Sequence, residues 1–354
     1  MDNIQKGCVN LNAFLKRKGI TFSAKVYLID ALSYMALGLF SSLIIGLIIK
    51  TLGEQLKIDM FIDLGTAAMG LMGPSIGVAV AYCLKAPPLV LFSSIIGGSL
   101  GAELGGPAGS YIVAVIATEV GKLVSKETKI DIIVTPFVTI LTSYIIASGV
   151  GPFIQSIMQG FGQTIMWATE QRPIIMGIIV AVLMGWALTA PISSAAIALM
   201  LDLSGITAGA ATIGCSAQMI GFAVSSYREN KIGGLMAIGI GTSMLQVPNI
   251  IRNPLILIPP TVAGALLAPI GTTIWPMLNN PAGAGMGTSG FVGQIMTFEA
   301  MGFSFSVLFY ILILHLIGPA VISLILSEYM RKKGWIKFGD MLIHTGEDQK
   351  NAKT

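Results

Sequence analysis

From about residue 31 onward, long apolar runs alternate with short clusters of glycine, proline and charge. A membrane-crossing helix needs about 20 mainly apolar residues. By that measure the pattern predicts about ten crossings, at 31–52, 61–84, 88–104, 108–124, 130–150, 173–201, 206–227, 232–251, 254–275 and 303–330. Two mixed stretches are not expected to cross. Residues 12–30 combine basic and apolar positions, and in 153–170 Phe153, Ile157, Phe161, Ile165 and Met166 recur at helical spacing. The expected organisation is an interfacial, cytoplasmic amphipathic N-terminus (1–30), a first transmembrane half (31–152), an amphipathic connecting helix (153–172), a second half (173–330) holding a polar loop (277–302), and a basic cytoplasmic tail (331–354).

Composition sharpens this picture. The chain is 54% hydrophobic and only 11% charged, against about 25% charged residues in a soluble domain. The expectation is therefore an all-α integral membrane protein in the lipid bilayer of the cell membrane. Lys16, Arg17, Lys18 and Lys25 precede the first apolar run, and Arg331, Lys332, Lys333 and Lys337 follow the last. Under the positive-inside rule these clusters anchor cytoplasmic ends, and no nucleic acid partner is expected. An even number of crossings puts Lys85, Lys122, Lys126, Lys129 and Arg252 on the same side and leaves Arg228 and Lys231 outside. Cys8, Cys83 and Cys215 have no paired spacing, so they are expected to be free thiols. No metal site or cofactor is expected.

The chain also echoes itself. Laying 77–100 over 221–244 matches Gly77 with Gly221, Ala79 with Ala223, Val80 with Val224, Gly97 with Gly241 and Ser99 with Ser243. With an odd number of crossings between copies, such a repeat is inverted in the membrane, as in many transporters. Chance among small and apolar residues is the competing account.

Chemistry concentrates where the helices must break. Lipid offers no hydrogen bonds, so irregular backbone at membrane depth survives only against protein or a watery cavity. The stretch GGSLGAELGGPAGSY, 97–111, carries one acid, Glu103. It is either a solvated turn or a re-entrant element offering its backbone and a carboxylate to a polar ligand. A second stretch, NNPAGAGMGTSGFVGQIMTFEAMG, 279–302, offers Asn279, Asn280, Thr288, Ser289 and Gln294, with Glu299 near its end. Neutral groups that both donate and accept suit sugar hydroxyls. Gln246 and Asn249 lie three apart on one helix face, and His315 sits in the middle of an apolar run; these are the remaining candidate binding residues. No Ser-His-acid set, HExxH or phosphate-binding loop is present, so no catalytic residue is assigned.

Taken together, GGSLGAELGGPAGS, TPFVTIL, NPLILIPPTVAGALLAPIGTT and NNPAGAGMGTSGFVGQ resemble the second group of phosphotransferase-system enzyme IIC proteins, which includes membrane proteins related to the perfringolysin regulator. The resemblance runs from about Phe22 to Gly339. It implies a homodimeric sugar permease of about ten spans with re-entrant hairpins, without a phosphorylation site of its own, served by separate IIA and IIB phosphocarriers. Better-known sugar branches carry a glutamate in a GITEP-like loop; here TFEAMG around Glu299 is the loose counterpart, and His315 stands in another context. An uncoupled carrier of a polar metabolite and a membrane sensor of gene expression are the alternatives.

Overall fold

The computed structural model describes residues 14–20 and 23–343, the side chains of residues 155, 158, 196, 199 and 200 apart. Cys8 and the ends of the N-terminal and C-terminal segments lie outside the described residues. Among the described residues the regular elements are helices, and an isolated bridge joins Gly205 to Asn279. Internal contacts divide the chain into two compact units. One is drawn from Met1–Ser42 and Gly70–Gln155, the other from Leu43–Met69 and Ser156–Thr354.

In the first unit, Met72–Cys83 packs along Pro88–Val124 through glycine faces. A Cβ on Gly98 would come within 2.1 Å of the Gly73 carbonyl oxygen, and one on Gly77 within 2.2 Å of that of Ser94. Small residues let membrane helices approach this closely. The run Pro88–Val124 is itself folded in two. Gly105 leaves helical geometry and Gly106 takes φ +58° with ψ −146°, a conformation open to glycine. The arms then run back along each other: Ser110 Oγ donates to the Gly98 carbonyl at 2.6 Å, and a Cβ on Gly121 would touch Val90 at 2.9 Å. In a straight helix residues 90 and 121 would stand about 46 Å apart.

The same unit buries one lysine. Lys122 Nζ donates to the carbonyls of Gly19 (2.9 Å) and Leu84 (3.0 Å) and pairs with Glu119 at 3.1 Å. Tyr27 also donates to Glu119. A buried charge persists only when paired and hydrogen-bonded; here two carbonyls take hydrogen bonds from the ammonium and Glu119 balances its charge. Outside the membrane-spanning runs, the hydrogen bond from Lys18 holds the Glu127 carboxyl below its ordinary range.

The second unit is built round Gly205–Ser225, a helix rich in small residues and buried on nearly every side. It packs against Pro173–Thr189, Ile258–Pro269 and Gly318–Lys332. A Cβ on Gly214 would meet the Ala181 oxygen at 2.0 Å, and one on Gly221 would meet Ser323 Oγ at 2.5 Å. Gln218 donates to Thr261 Oγ1 at 3.0 Å, a bond between helices. Gly77 and Gly221, paired by the sequence echo, thus pack against unlike partners.

Among the described residues, six helical runs can cross a membrane by length and composition, or seven if the bent pair Asp59–Gly70 and Met72–Cys83 (47°) is one span. The shortfall from about ten has local causes. Pro173–Thr189 stops just before Pro191. Residues 232–251 are interrupted at Thr242, whose φ −158° and ψ 140° are extended. Pro88–Val124 counts once although it folds back.

The start of the interrupted stretch is tied to the basic C-terminal end. Arg228 pairs with Glu328 at 2.7 Å and Glu229 with Arg331 at 2.8 Å. Asn230 and Asn253, which flank the interrupted stretch, both bond to the segment after Lys332. Residues 231–253 thus begin and end beside the same C-terminal segment, as a hairpin.

The glycine contacts make a direct prediction. Gly98→Ala should cost about 1–3 kcal/mol through overpacking, lowering the midpoint of thermal unfolding in detergent. Gly149→Ala, where a Cβ would meet nothing within 4 Å, should leave it unchanged or raise it.

Candidate functional site

Three backbone breaks converge in the second unit. The first separates Pro173–Thr189 from Ser194–Met200. The second is the hairpin tip, where the π-helical turn Ala237–Gly241 gives way to Ser243–Gln246. The third is the glycine-rich stretch between Pro281–Ala284 and Val292–Met301. Each break frees carbonyls, and hydroxyls of the other breaks take them up. Ser194 Oγ donates to the Gly285 carbonyl at 2.7 Å, Thr288 Oγ1 to that of Gly239 at 2.5 Å, and Ser289 Oγ to that of Gly241 at 2.8 Å. Thr189 and Ser243 hydroxyls lie 2.9 Å apart.

The third break is held open by its backbone. Gly287 has φ +54°, and a Cβ there would come within 2.7 Å of the Cys215 backbone, so both conformation and space require glycine. Phe291, a bulky residue, is left-handed at φ +58°; strain of this kind tends to gather at functional sites. Asn279 fastens the base. Its Nδ2 donates to Thr212 Oγ1 (2.7 Å), the Gly293 carbonyl (3.0 Å) and Thr297 Oγ1 (3.1 Å), while its Oδ1 accepts from the Asn280 N–H at 2.8 Å. Asn280 in turn caps Pro281–Ala284 by accepting from the Gly283 N–H at 3.0 Å.

Behind these fasteners lies a cluster with polar capacity to spare. Gln294 Nε2 donates to Ser216 Oγ at 3.3 Å and to His315 Nδ1 at 3.2 Å. His315 sits on the π-helical turn Leu312–Ile317, a geometry frequent at functional sites. Since Nδ1 accepts from the amide, the neutral ring carries its proton on Nε2. That Nε2 and Gln294 Oε1 are both buried and have no partner. An orphan buried polar group costs about 1–3 kcal/mol. One hydroxyl, which donates and accepts at once, is chemically matched to an N–H donor and a carbonyl acceptor.

Of the residues singled out in the sequence, the structure therefore joins Asn279, Asn280, Thr288, Ser289, Gln294 and His315 in one neighbourhood, the first four as internal fasteners. Gln246 and Asn249 are drawn elsewhere: they donate to the carbonyls of Met341 (2.9 Å) and Leu342 (2.9 Å). Glu299 is exposed, since five residues of helix turn it about 140° from Gln294. Glu103 belongs to the first unit, exposed on the arm before the hairpin tip, with no hydrogen bond or ion pair. Sequence reasoning passed over Ser194, Thr212, Ser216 and Thr297, because a lone hydroxyl in an apolar run is ordinarily satisfied by its own helix. Only the facing break reveals a further role.

Residues 29–343 match the family model described as "Phosphotransferase system, EIIC". No curated protein and no solved structure gives a match. The matched span covers all three breaks and ends at Ile343, the last described residue.

If Asn279 is a fastener, Asn279→Ala should destabilise the protein by about 1–3 kcal/mol, through the partners it strands. Thermal unfolding in detergent measures this. Glu299→Gln, at an exposed position, should leave the midpoint in place.

Proposed function

Because the chain belongs to the phosphotransferase-system EIIC family, a membrane sugar-transport component, we propose that it is the permease subunit, binding a sugar at the convergence of the three breaks. The observation that carries this is the buried, unpartnered pair formed by Gln294 Oε1 and His315 Nε2. Gln294 and His315 orient hydroxyls of the substrate. Asn279, Asn280, Thr288 and Ser289 hold the backbone around them. All the groups at this point are neutral, which favours an uncharged polyhydroxylated ligand over a sugar acid. The 231–253 hairpin and the 279–301 stretch act as re-entrant elements, and their rearrangement moves the sugar inward for phosphorylation by a IIB partner that IIA recharges. The assembly is a homodimer, as the family resemblance implies. Glu103, on the first unit's glycine hairpin, offers a carboxylate to sugar hydroxyls.

The hairpin supports a cytoplasmic placement for the C-terminal basic end. Arg228, Lys231, Arg252, Arg331, Lys332, Lys333 and Lys337 gather at one end of the second unit, as the positive-inside rule requires.

The test is phosphoenolpyruvate-dependent uptake of a labelled sugar panel by membrane vesicles charged with the cytosolic phosphocarriers. Replacing both orphans, Gln294→Leu with His315→Phe, should lower uptake at least tenfold while keeping thermal stability, since apolar replacements remove the unpaired groups. Unchanged uptake would refute the site. Glu103→Gln should raise the half-saturating sugar concentration without changing the unfolding midpoint. Uptake that persists undiminished without phosphoenolpyruvate would replace the phosphotransfer step by uncoupled carriage.

A further inference from the structure

After Lys332 the chain does not leave the second unit. It turns at Gly334 and lies along the root of the 231–253 hairpin. Two apolar side chains anchor it, Ile336 and Met341, the latter with no exposed surface. Most of what else holds it is read from its backbone, although Asn253 Nδ2 also donates to Asp340 Oδ2 at 2.8 Å. Asn253 Nδ2 donates to the Trp335 carbonyl at 3.0 Å. Asn230 Nδ2 and Gln246 Nε2 both donate to that of Met341, at 2.8 and 2.9 Å, and Asn249 Nδ2 to that of Leu342 at 2.9 Å. Asn230 Oδ1 accepts from the Ile343 N–H at 2.8 Å, completing a two-way grip on a segment of successive turns. Beneath it, Arg331 pairs with the buried Glu229 and reaches the Ser225 carbonyl.

Four carboxamides facing the backbone of one segment make a peptide-reading groove, and this chain fills it with its own residues. The groove is built from both roots of the hairpin, Asn230 on the entering side and Asn253 on the leaving side. The hairpin's tip is the piece that Thr288 and Ser289 grip at Gly239 and Gly241. Access to the buried Gln294 and His315 requires some break to move, and the hairpin cannot move freely while both its roots are tied. The grip is also incomplete: Asn249 Oδ1 and Arg331 Nε are buried without partners. A permanently docked segment would be expected to satisfy such groups.

The geometry points to residues 333–343 being a detachable strap, whose docking in the carboxamide groove locks the 231–253 hairpin in the closed arrangement. The locking itself stands on these contacts alone; its consequence for sugar entry rests on the permease function proposed above.

Hydrogen exchange on the full-length protein in nanodiscs tests the strap without any ligand. Met341→Asp removes the apolar anchor, and Asn230→Ala with Asn253→Ala cuts the ties to both roots. Phe338→Asp, at an exposed position on the same segment, is the control. Either strap variant should raise exchange at least tenfold in 335–343 and in 237–253, with Pro88–Val124 unchanged and the control silent. Faster exchange in 335–343 with 237–253 unmoved would overturn the proposal, showing a strap that locks nothing. A rise across every helix in both variants would overturn it too, by making the segment an inseparable part of the fold. Exchange unchanged in both variants would show that the groove does not hold the strap. Sugar uptake by the same variants separately reports whether locking governs transport, and its failure would leave the exchange result standing.

Discussion

A backbone break inside lipid cannot turn to water for its missing hydrogen bonds, and the second unit is arranged around that constraint. Helices stop at Ala190, at Thr242 and between Ala284 and Val292. Separately, each break would expose carbonyls to hydrocarbon at a cost of several kcal/mol per group. Brought together, they supply one another: Ser194 serves Gly285, Thr288 serves Gly239, and Ser289 serves Gly241. The polar interior is thus a consequence of interrupted helices needing company. A binding site arises where that mutual supply leaves a remainder, at Gln294 Oε1 and His315 Nε2.

Close approach makes the arrangement possible. The central helix Gly205–Ser225 is studded with glycine, alanine and serine, so its neighbours reach its backbone at Gly209, Gly214 and Gly221. In the first unit, the same device brings the arms of the 88–124 hairpin together. Membrane helices gain little from hydrophobic burial against each other. Dispersion contacts at short range and a few interhelical bonds, such as Gln218 to Thr261, do the joining instead.

Each unit also fastens a terminal segment with a buried ion pair. Lys122 with Glu119 holds the Gly19 carbonyl in the first; Arg331 with Glu229 lies under the 333–343 segment in the second. Pairing keeps the net charge of each latch at zero, so the desolvation cost is offset as far as geometry allows. These charges are the ones a count of basic residues assigns simply to the membrane surface.

The sequence alone determined that this chain lives in a membrane, where its apolar runs fall, and which two stretches break the helical pattern, because hydropathy and glycine content act locally. It also identified the family from GGSLGAELGGPAGS and NNPAGAGMGTSGFVGQ, as the match over 29–343 bears out. Tertiary structure alone decided which polar groups are already spent. Asn279 and Gln246 look equally available in the sequence; one is consumed by Thr212, Gly293 and Thr297, the other by Met341. It likewise decided that 231–253 begins and ends beside one segment, which Asn230 and Asn253 both grip. Satisfaction of hydrogen bonds depends on partners tens of residues away, and no local pattern carries that information.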